Sequence, residues 1–413
     1  MNQSPTNPEP RSSPIRVAIA ADYAEEGWAS MDLTAEMMFF YLNNDHSNAV
    51  VAEPIRPPYR RRFARLPLAK GRSAAKNADR ALNRFWYYPR AARRAQRRNA
   101  FDLYHIVDHS YSQLVLSLPE ERAIVTCHDL DTFRCVLEPE LEPRPRWFRL
   151  MAERSLAGFR RARVVVCNSE ATRSAIVKHD LASQDRLRLI PVGVHPACSP
   201  DADLAVDRRV DDLLGLERRY LDDPPLILHV GTTIPRKRID ILLRVFARIA
   251  AERPGARLVK VGGAFTVEQF RLAEELKITN SMIILPFLDR EVLSGVYRRV
   301  DLVLQPSEAE GFGLPVAEAL ACGAAVLASD IAALVEVGGD AAYYAPVGDI
   351  DKWTESALKI LDDRVDQPLL TERKRDRIVR AELFSWSRHV SECVRVYEEV
   401  VAGRDERRSE RGE

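Results

Sequence analysis

Short apolar runs of strand length alternate with helical patterns along this chain of 413 residues. Such alternation is typical of parallel α/β layering, because a helix must cover each strand pair on the face of the sheet. The predicted strands are Ile15–Ala20, Leu103–Val107, Ala123–Cys127, Val164–Asn168, Leu187–Pro191, Leu226–Val230, Arg257–Val261, Ile283–Pro286, Leu302–Gln305 and Ala325–Ala328. The series starts again near residue 225, so we expect two Rossmann-like, doubly wound domains that face each other across a cleft.

Turn residues and composition also indicate a linker, a returning helix and two tails. Prolines surround a short predicted helix near Val210–Leu214, which indicates a linker. A last helix has Trp386, Val390 and Tyr397 on one apolar face, so we expect it to cross back to the first domain. The predicted segments are a disordered tail over 1–14, an N-terminal domain over 15–197 with the helix over 386–402, a linker over 198–224, a C-terminal domain over 225–385 and a charged tail over 403–413.

Composition excludes several classes of protein. With 61 Lys plus Arg against 60 Asp plus Glu, the net charge of +1 argues against a uniformly basic nucleic-acid binder, and we expect no nucleic-acid partner. The apolar runs are far shorter than the roughly 20 residues that span a bilayer. Six scattered cysteines without a CxxC pair are typical of a reduced, cytoplasmic protein.

The charge is nevertheless unevenly distributed. Residues 56–98 contain fifteen Lys or Arg and one acid, Asp79, a net +14, so the rest of the chain carries −13. The residues Arg72, Lys76, Arg80 and Arg84 recur every four positions, and Ala75, Ala78, Leu82 and Phe85 form an apolar row at helical spacing. This basic stretch predicts an amphipathic helix whose partner is anionic, although a solvated face over an ordinary packed helix stays open.

The segment from Gln305 to Gly323 is the most informative one for chemistry. A strand leads into a polar loop, then into Gly311-Phe312-Gly313, and Pro315 indicates the first position of a helix. Free amides and the dipole at such a helix start suit a diphosphate. Glu310 and Glu318 lie on either side of the glycine turn, where carboxylates can accept hydrogen bonds from sugar hydroxyls.

This segment resembles the E-x7-E motif of the GT4 family of retaining glycosyltransferases, which have the GT-B fold. The matching residues are Pro306, Ser307, Glu310, Gly311, Phe312, Gly313, Leu314, Pro315, Glu318, Ala319, Ala321 and Gly323. The resemblance implies a hexosyltransferase with a nucleotide diphosphate sugar as donor, and neither a metal nor another cofactor. It further implies that Glu310 contacts the donor sugar and Glu318 the ribose, with Gly311, Phe312, Gly313 and Leu314 around the donor.

The segment from His229 to Arg238 looks like the family's V-G-x-x-x-x-R-K segment. The resemblance implies that Lys237 neutralises the donor diphosphate and that Gly231 permits its close approach. Many relatives place Arg directly after that glycine, whereas this chain has Thr232. Arg236 and Arg238 are candidates to replace the missing charge, so the donor-binding set is Gly231, Thr232, Arg236 and Lys237.

In the first half, His128-Asp129 follows a strand and resembles the strand-end His-Asp of the family. The resemblance implies a catalytic role for His128 at the donor sugar. Relatives commonly carry Gly-Gly near the acceptor, where this chain has Gly27 alone. In and after the predicted strand Leu103–Val107, His105 and His109 are further acceptor-side candidates, although strand-end capping explains them as well. Asp129-Leu-Asp131 also matches a D-x-D metal pattern, which is the weaker interpretation.

The resemblance thus implies transfer of a hexose to a glycolipid or polysaccharide acceptor with retention of the anomeric configuration. The V-G-T…P-R-K form is somewhat similar to that of mannosyltransferases that use GDP-mannose. Two alternatives stay open: a nucleotide-sugar epimerase of the same fold, and a membrane-bound scaffold that has lost activity. Family members with lipid-linked acceptors dock on anionic membranes through the first domain, so residues 56–98 predict a peripheral position on the inner face of the cell membrane.

Overall fold

The structure, a computed structural model, describes residues 13–65, 73–98, 101–216 and 223–411. Most of the tail predicted over 1–14, the basic residues Lys70 and Arg72, and part of the linker lie outside this description. The strands are β1 Ile15–Ala20, β2 Val50–Pro54, β3 Leu103–Ile106, β4 Ala123–Cys127, β5 Val164–Cys167, β6 Leu187–Leu189, β7 Leu226–Val230, β8 Arg257–Val261, β9 Met282–Leu285, β10 Leu302–Gln305, β11 Val326–Ser329 and β12 Tyr343–Ala345.

The helices follow in the same chain order. They are α1 Ala29–Asp45, α2 Ser73–Leu82, α3 Tyr88–Arg98, α4 Asp131–Leu137, α5 Arg146–Arg161, α6 Glu170–Lys178, α7 Leu204–Leu214, α8 Ile239–Glu252, α9 Val267–Glu275, α10 Arg290–Arg299, α11 Leu314–Ala321, α12 Ala332–Gly338, α13 Ile350–Asp362, α14 Gln367–Ala381 and α15 Trp386–Arg411. Within the four described ranges, none of the helices has both the length and the apolar character needed to cross a bilayer.

The chain forms two compact units. Among the described residues, unit 1 comprises those up to Asn168, Thr172–Pro191 and those from Trp386 onwards, and unit 2 comprises Ser169–Ala171 and those of Val192–Ser385. Each unit contains a six-stranded sheet in which every strand pair is parallel. The α/β class and the division into two doubly wound sheets are therefore confirmed.

The sheet of unit 1 is buried on both faces, as a parallel sheet requires. Successive side chains of a strand point to opposite faces. Ala18 of β1 accordingly contributes to a core with Phe159 of α5, whereas Val17 contributes to a second core with Met38 of α1 and Tyr397 of α15. The apolar face of α15 thus completes unit 1.

The strand orders define where each sheet changes direction. In unit 1 the order is β2-β1-β3-β4-β5-β6, and in unit 2 it is β12-β11-β10-β7-β8-β9. In unit 1, the chain runs from β1 to β2 at one edge of the sheet, and from β3 through β6 to the other edge. In unit 2, it runs from β7 through β9 to one edge, and from β10 through β12 to the other. Ligands of doubly wound sheets bind at the carboxyl ends of the strands at such switch points. The loops after β1 and β3, and after β7 and β10, are therefore the positions to search.

Three local predictions need correction. α15 continues to Arg411, past the end predicted at residue 402, because the Arg and Glu residues of the expected tail are good helix formers. Leu314 is the first residue of α11 and Pro315 the second. The single helix expected in the basic stretch is two helices joined by a π-helical turn over Asn83–Tyr87, where the buried Asn83 bonds to the backbone of Arg60.

Candidate functional site

The loops after β7 and β10 are joined by charged side chains at the switch point of unit 2. Arg236 Nη1 donates to the Ala309 carbonyl at 2.9 Å and to Glu310 Oε2 at 3.1 Å. Lys237 Nζ donates to Glu310 Oε1 at 2.5 Å. Two cations from one loop therefore meet a single carboxylate from the other.

Glu310 is held ionised by its surroundings. Its side chain is only 7% exposed, and Oε1 also accepts hydrogen bonds from Ser307 Oγ at 2.7 Å and from Gln305 Nε2 at 3.0 Å. Burial alone would raise the pKa of Glu310, but the charges of Lys237 and Arg236 lower it to about 2. The cluster thus has two cations for one anion, an excess of positive charge that suits an anionic ligand.

The turn before α11 depends on glycine at position 313. Gly313 has a φ of +107°, in the left-handed region, and caps the helix. The preceding carbonyl, that of Gly311, accepts a hydrogen bond from Ser169 Oγ at 2.6 Å, and the ring of Phe312 packs edge-on against Phe384 at 5.4 Å. The backbone that leads into α11 is therefore anchored just before Gly313.

Glu318, in α11, has a separate set of partners. Tyr297 Oη donates to Glu318 Oε2 at 3.1 Å, and Arg290 Nη1 lies 3.6 Å from Oε1. Glu318 is 5% exposed, and this burial raises the pKa of its carboxyl group. A second buried carboxyl group with a fixed orientation thus follows the glycine turn, as its place in the sequence predicts.

Acids and histidines collect at the switch point of unit 1. Asp22 follows β1, Asp108 and His109 follow β3, and His128 follows β4. Asp108 Oδ1 accepts the amide of Ser110 at 2.7 Å and lies 3.2 Å from His109 Nδ1. His128 Nε2 donates to the Val107 carbonyl at 2.8 Å, and burial lowers the pKa of its imidazole. His128 is therefore neutral near pH 7, with a lone pair on Nδ1.

Asp22 differs from the other members of this cluster. Its side chain is 2% exposed, and neither carboxylate oxygen accepts a hydrogen bond from any donor in the described part of the chain. Burial and the neighbouring Asp108 carboxylate raise the pKa of Asp22, while Asp108 keeps its own donors and a lowered pKa. Of this acid pair, Asp22 is therefore the group that binds a proton first as the pH falls.

Two protein-family descriptions match the chain, one for each half. Residues 41–197 match the description "Glycosyltransferase Family 4", and residues 218–381 match "Glycosyl transferases group 1". The chain belongs to the GT4-type glycosyltransferases. The family prediction from the Glu310–Glu318 segment is thus confirmed, whereas the roles of the two carboxylates within that segment stay predictions.

Curated relatives of this glycosyltransferase include mannosyltransferases. It is 29% identical over 307 residues to O-antigen chain mannosyltransferase B of Escherichia coli, a match that covers 73% of this chain and 77% of the relative. It is also 29% identical to the E. coli serotype-specific mannosyltransferase WbdA, of whose length the match covers only 34%.

Solved structures resemble it in fold over nearly the whole chain. Sucrose-phosphate synthase from Thermosynechococcus elongatus aligns with a TM-score of 0.71 at 20% identity and covers 94% of this chain and 100% of its own. Anabaena HepE, solved with UDP and glucose, aligns with a TM-score of 0.64 at 15% identity over 94% of this chain and 100% of its own. These likenesses confirm the GT-B fold class.

The predicted donor-binding residues of the glycosyltransferase fall on three neighbouring segments of unit 2. Gly231 and Thr232 follow β7, and the Gly231 amide donates to the Val261 carbonyl at 3.0 Å. Arg236 and Lys237 lie in the next turn and contact Glu310, while Leu314 opens α11. Arg238, the other candidate replacement charge, instead pairs with Asp240 at 2.8 Å.

The acceptor-side candidates are not all brought together. His109 lies beside Asp108 and His128, but His105 is a fully buried residue of β3. Its Nδ1 bonds to Tyr397 Oη at 2.7 Å and its Nε2 to Thr126 Oγ1 at 2.8 Å, so it joins the sheet to α15. Gly27 is exposed and has a φ of +72° at the end of a short turn, a conformation that by itself favours glycine.

Several polar residues of these sites were not found from the sequence. Asp22 is one, because an acid after a strand is common and only the fold shows that its carboxyl group has no donor. Tyr297 is another, since nothing in an amphipathic helix pattern links it to Glu318. His229 and Lys260 interrupt apolar strands by one residue each, and that interruption is the signal that could have identified them.

Proposed function

We propose that this glycosyltransferase transfers a hexose, with mannose as the first candidate, from a nucleotide diphosphate sugar to a glycan or lipid-linked acceptor. The anomeric configuration is retained and no metal ion takes part. The observation that carries the proposal is the buried cluster of Lys237, Arg236 and Glu310 beside the loop that contains Gly231.

The charges of that cluster match the needs of the leaving group. Departure of a nucleoside diphosphate leaves negative charge on the phosphate oxygens, and preorganised cations stabilise that charge most strongly in a site screened from water. The side chain of Lys237 is 10% exposed and that of Arg236 is 20% exposed. Both cations are oriented by Glu310 before a donor binds, so little reorganisation accompanies catalysis.

The class of donor and acceptor is supported by the relatives. O-antigen chain mannosyltransferase B is named for mannosyl transfer to the O-antigen chain, and HepE was solved with UDP and glucose. Glu318, fixed by Tyr297, is assigned to the ribose, and Glu310 to the donor sugar. Retention through a same-face displacement is an inference from the family resemblance, as is the role of His128 at the sugar.

A donor screen tests the proposal. Thermal stabilisation and calorimetric binding would be measured with a panel that includes GDP-mannose and UDP-glucose, and transfer to glycan and lipid-linked acceptors would then be followed by NMR of the anomeric proton. We expect one nucleotide sugar to bind and to give a product with the donor's anomeric configuration. Donor turnover to an isomer without acceptor would indicate an epimerase, and no binding of any donor would indicate a scaffold.

The basic stretch supports a membrane as the site of the acceptor. Within α3, Arg90, Arg93, Arg94, Arg97 and Arg98 are exposed, and the exposed ring of Trp86 lies just before this helix. Exposed arginines with an aromatic ring suit anionic headgroups. Arg80 and Arg84 do not belong to this surface, because both pair with the buried Glu26, at 3.0 and 3.6 Å.

A further inference from the structure

Lys260 is a buried lysine in the middle of unit 2. It lies in β8, its residue is 0% exposed, and its Nζ donates to the Gly231 carbonyl at 2.5 Å and to the Val261 carbonyl at 3.1 Å. Among the described residues, no carboxylate oxygen lies within 4.0 Å of Nζ. A buried ammonium group that has only carbonyl partners is costly, because an ion pair ordinarily compensates the loss of hydration.

The neighbours of Lys260 do not supply the missing negative charge. His229 of β7 is its partner in the parallel register, and on the other side Ile284 of β9 is apolar. His229 Nδ1 lies 2.9 Å from the Leu304 carbonyl, which can only accept, so this nitrogen carries the proton. The other nitrogen, Nε2, is buried and has no hydrogen-bond partner in the described structure. Lys237 adds a second positive charge nearby, and its counter-ion Glu310 is already engaged.

The lysine is directly connected to the donor loop. Its ammonium group fixes the carbonyl of Gly231, while the Gly231 amide is held by the carbonyl of Val261. Gly262 packs directly against the same Gly231 carbonyl, since a Cβ at position 262 would lie 2.6 Å from the carbonyl oxygen. In a trans peptide the carbonyl and the next amide point in opposite directions. The amide of Thr232 is therefore directed away from Lys260.

We propose that Lys260 is a positioning residue for the diphosphate of the donor, a buried positive charge that orients the Gly231–Thr232 peptide and is compensated only when the diphosphate binds. This role rests on the proposed function of the same site. It offers a second source of positive charge beside the loop that contains Gly231 and Thr232. The ligand class is a diphosphate diester, and the lysine acts through the loop.

Proton uptake follows from this arrangement. Burial, with a further contribution from Lys237, lowers the pKa of Lys260 to about 8 in the absence of a ligand. An anion at the loop favours the ammonium form and raises that pKa. Above about pH 8 the free protein has lost this proton, so binding must take one up, and donor affinity falls as the pH rises. Burial lowers the pKa of His229 to about 3 and Glu310 has a pKa of about 2, so neither titrates in this range.

Calorimetry of nucleotide-sugar binding tests the inference. GDP-mannose and UDP-glucose would be titrated into the full chain between about pH 7 and about pH 9, since their diphosphate diesters keep a constant charge there. For wild type we expect affinity to fall by up to about tenfold per pH unit above about pH 8, with a binding enthalpy that depends on the buffer's ionisation enthalpy. Lys260→Met should bind about tenfold or more weakly at about pH 7 and lack both effects. Lys352→Met, an exposed lysine of α13, is the matched control and should behave as wild type.

The possible results separate the inference from the proposed function. If no nucleotide sugar of the screening panel binds to the wild type, the proposed function and the inference both fail. If binding occurs and Lys260→Met keeps the wild-type affinity or its pH dependence, the inference alone is overturned. If Lys260→Met does not fold, NMR of lysine side chains in the wild-type protein decides: the inference requires one lysine with a pKa near 8 that rises when the nucleotide sugar is added.

Discussion

The switch points of the two sheets bear opposite kinds of chemistry. In unit 2, Lys237 and Arg236 outnumber the one carboxylate that they contact, Glu310. In unit 1, Asp22, Asp108 and His109 collect at the corresponding position, and the carboxyl group of Asp22 has no donor in the described structure. The same layout of parallel strands thus places excess positive charge at the switch point of unit 2 and hydrogen-bond acceptors at the switch point of unit 1.

This difference follows from which loops carry charge. The backbone layout places loops from different parts of the chain side by side at a switch point, but it does not choose their side chains. The edge of unit 2 suits phosphates, whereas the carboxyl groups and the neutral imidazole of His128 in unit 1 suit hydroxyl groups. The following four substitutions test this contrast between the two units.

Removal of Lys237 should have the largest effect. Lys237→Met deletes a preorganised cation at the departing diphosphate, so we expect turnover to fall by about 10² to 10³. Steady-state rates with the donor found by screening, together with circular dichroism for folding, provide the measurement. Lys352→Met removes an exposed lysine of the same unit and should leave the rate unchanged. A Lys237→Met protein that retains a third of the wild-type turnover would contradict an anion-binding role for this edge.

Loss of Arg84 should have the next largest effect, on stability. The side chain of Glu26 is 0% exposed, and Arg84 contacts it and donates to the Ser110 carbonyl at 2.5 Å. Arg84→Met removes one of the two cations that contact this buried carboxylate and leaves it with Arg80 and the Tyr111 hydroxyl, so the free energy of unfolding should fall by about 3 kcal/mol. Arg94→Met removes an exposed charge and should change it by less than about 0.5 kcal/mol. If Arg84→Met and Arg94→Met lower the free energy of unfolding equally in denaturant titrations, Arg84 belongs to the solvated surface.

Asp22→Asn should stabilise unit 1 at high pH. The pKa of Asp22 is raised above 3.8 in the native state by burial and by Asp108, so the native state binds the proton more tightly than the unfolded state. The free energy of unfolding therefore falls as the pH rises from about 4 towards the raised pKa of Asp22. The total loss is about 1.4 kcal/mol for each pH unit by which the native state raises that pKa. Asparagine offers Asp108 an N–H in place of the acid proton and does not titrate. Calorimetric melting should show an advantage of Asp22→Asn that grows as the pH rises above about 4. A difference that does not change with pH would refute a raised pKa at Asp22.

The smallest effect concerns the exposed surface of α3. Arg97→Gln should weaken binding to vesicles that contain phosphatidylserine by about 1 kcal/mol, or roughly fivefold, because one arginine contributes about that much near an anionic surface. Co-sedimentation at low and high salt is the measurement, and Lys352→Gln in unit 2 is the control. Vesicle binding that depends neither on the anionic lipid nor on the salt concentration would contradict a membrane-binding role for the basic stretch.

Much of the fold was accessible from the sequence because parallel strands are short, apolar and separated by helical patterns. All ten predicted strands are present, most of them within a residue or two of the predicted bounds. β2 was missed, since Val50–Pro54 lies at the edge of its sheet and contains Glu53 and Pro54, which are rare in strands. The pairing of Glu26 with Arg80 and Arg84 was also inaccessible, because more than fifty residues separate them in the chain.

For the candidate site, the sequence determined where each residue lies relative to its chain neighbours: Glu310 beside the glycine turn, Glu318 one helical turn into α11, and Lys237 shortly after Gly231. Local spacing suffices for this, because a strand, a turn and a helix start are formed by neighbouring residues. Only the tertiary structure decided that Lys237 and Arg236 meet Glu310, that Asp22 lies beside Asp108 without a donor, and that Lys260 supports the Gly231 carbonyl. These contacts join different strands of a sheet, and burial there sets the protonation states, so no local pattern could have contained them.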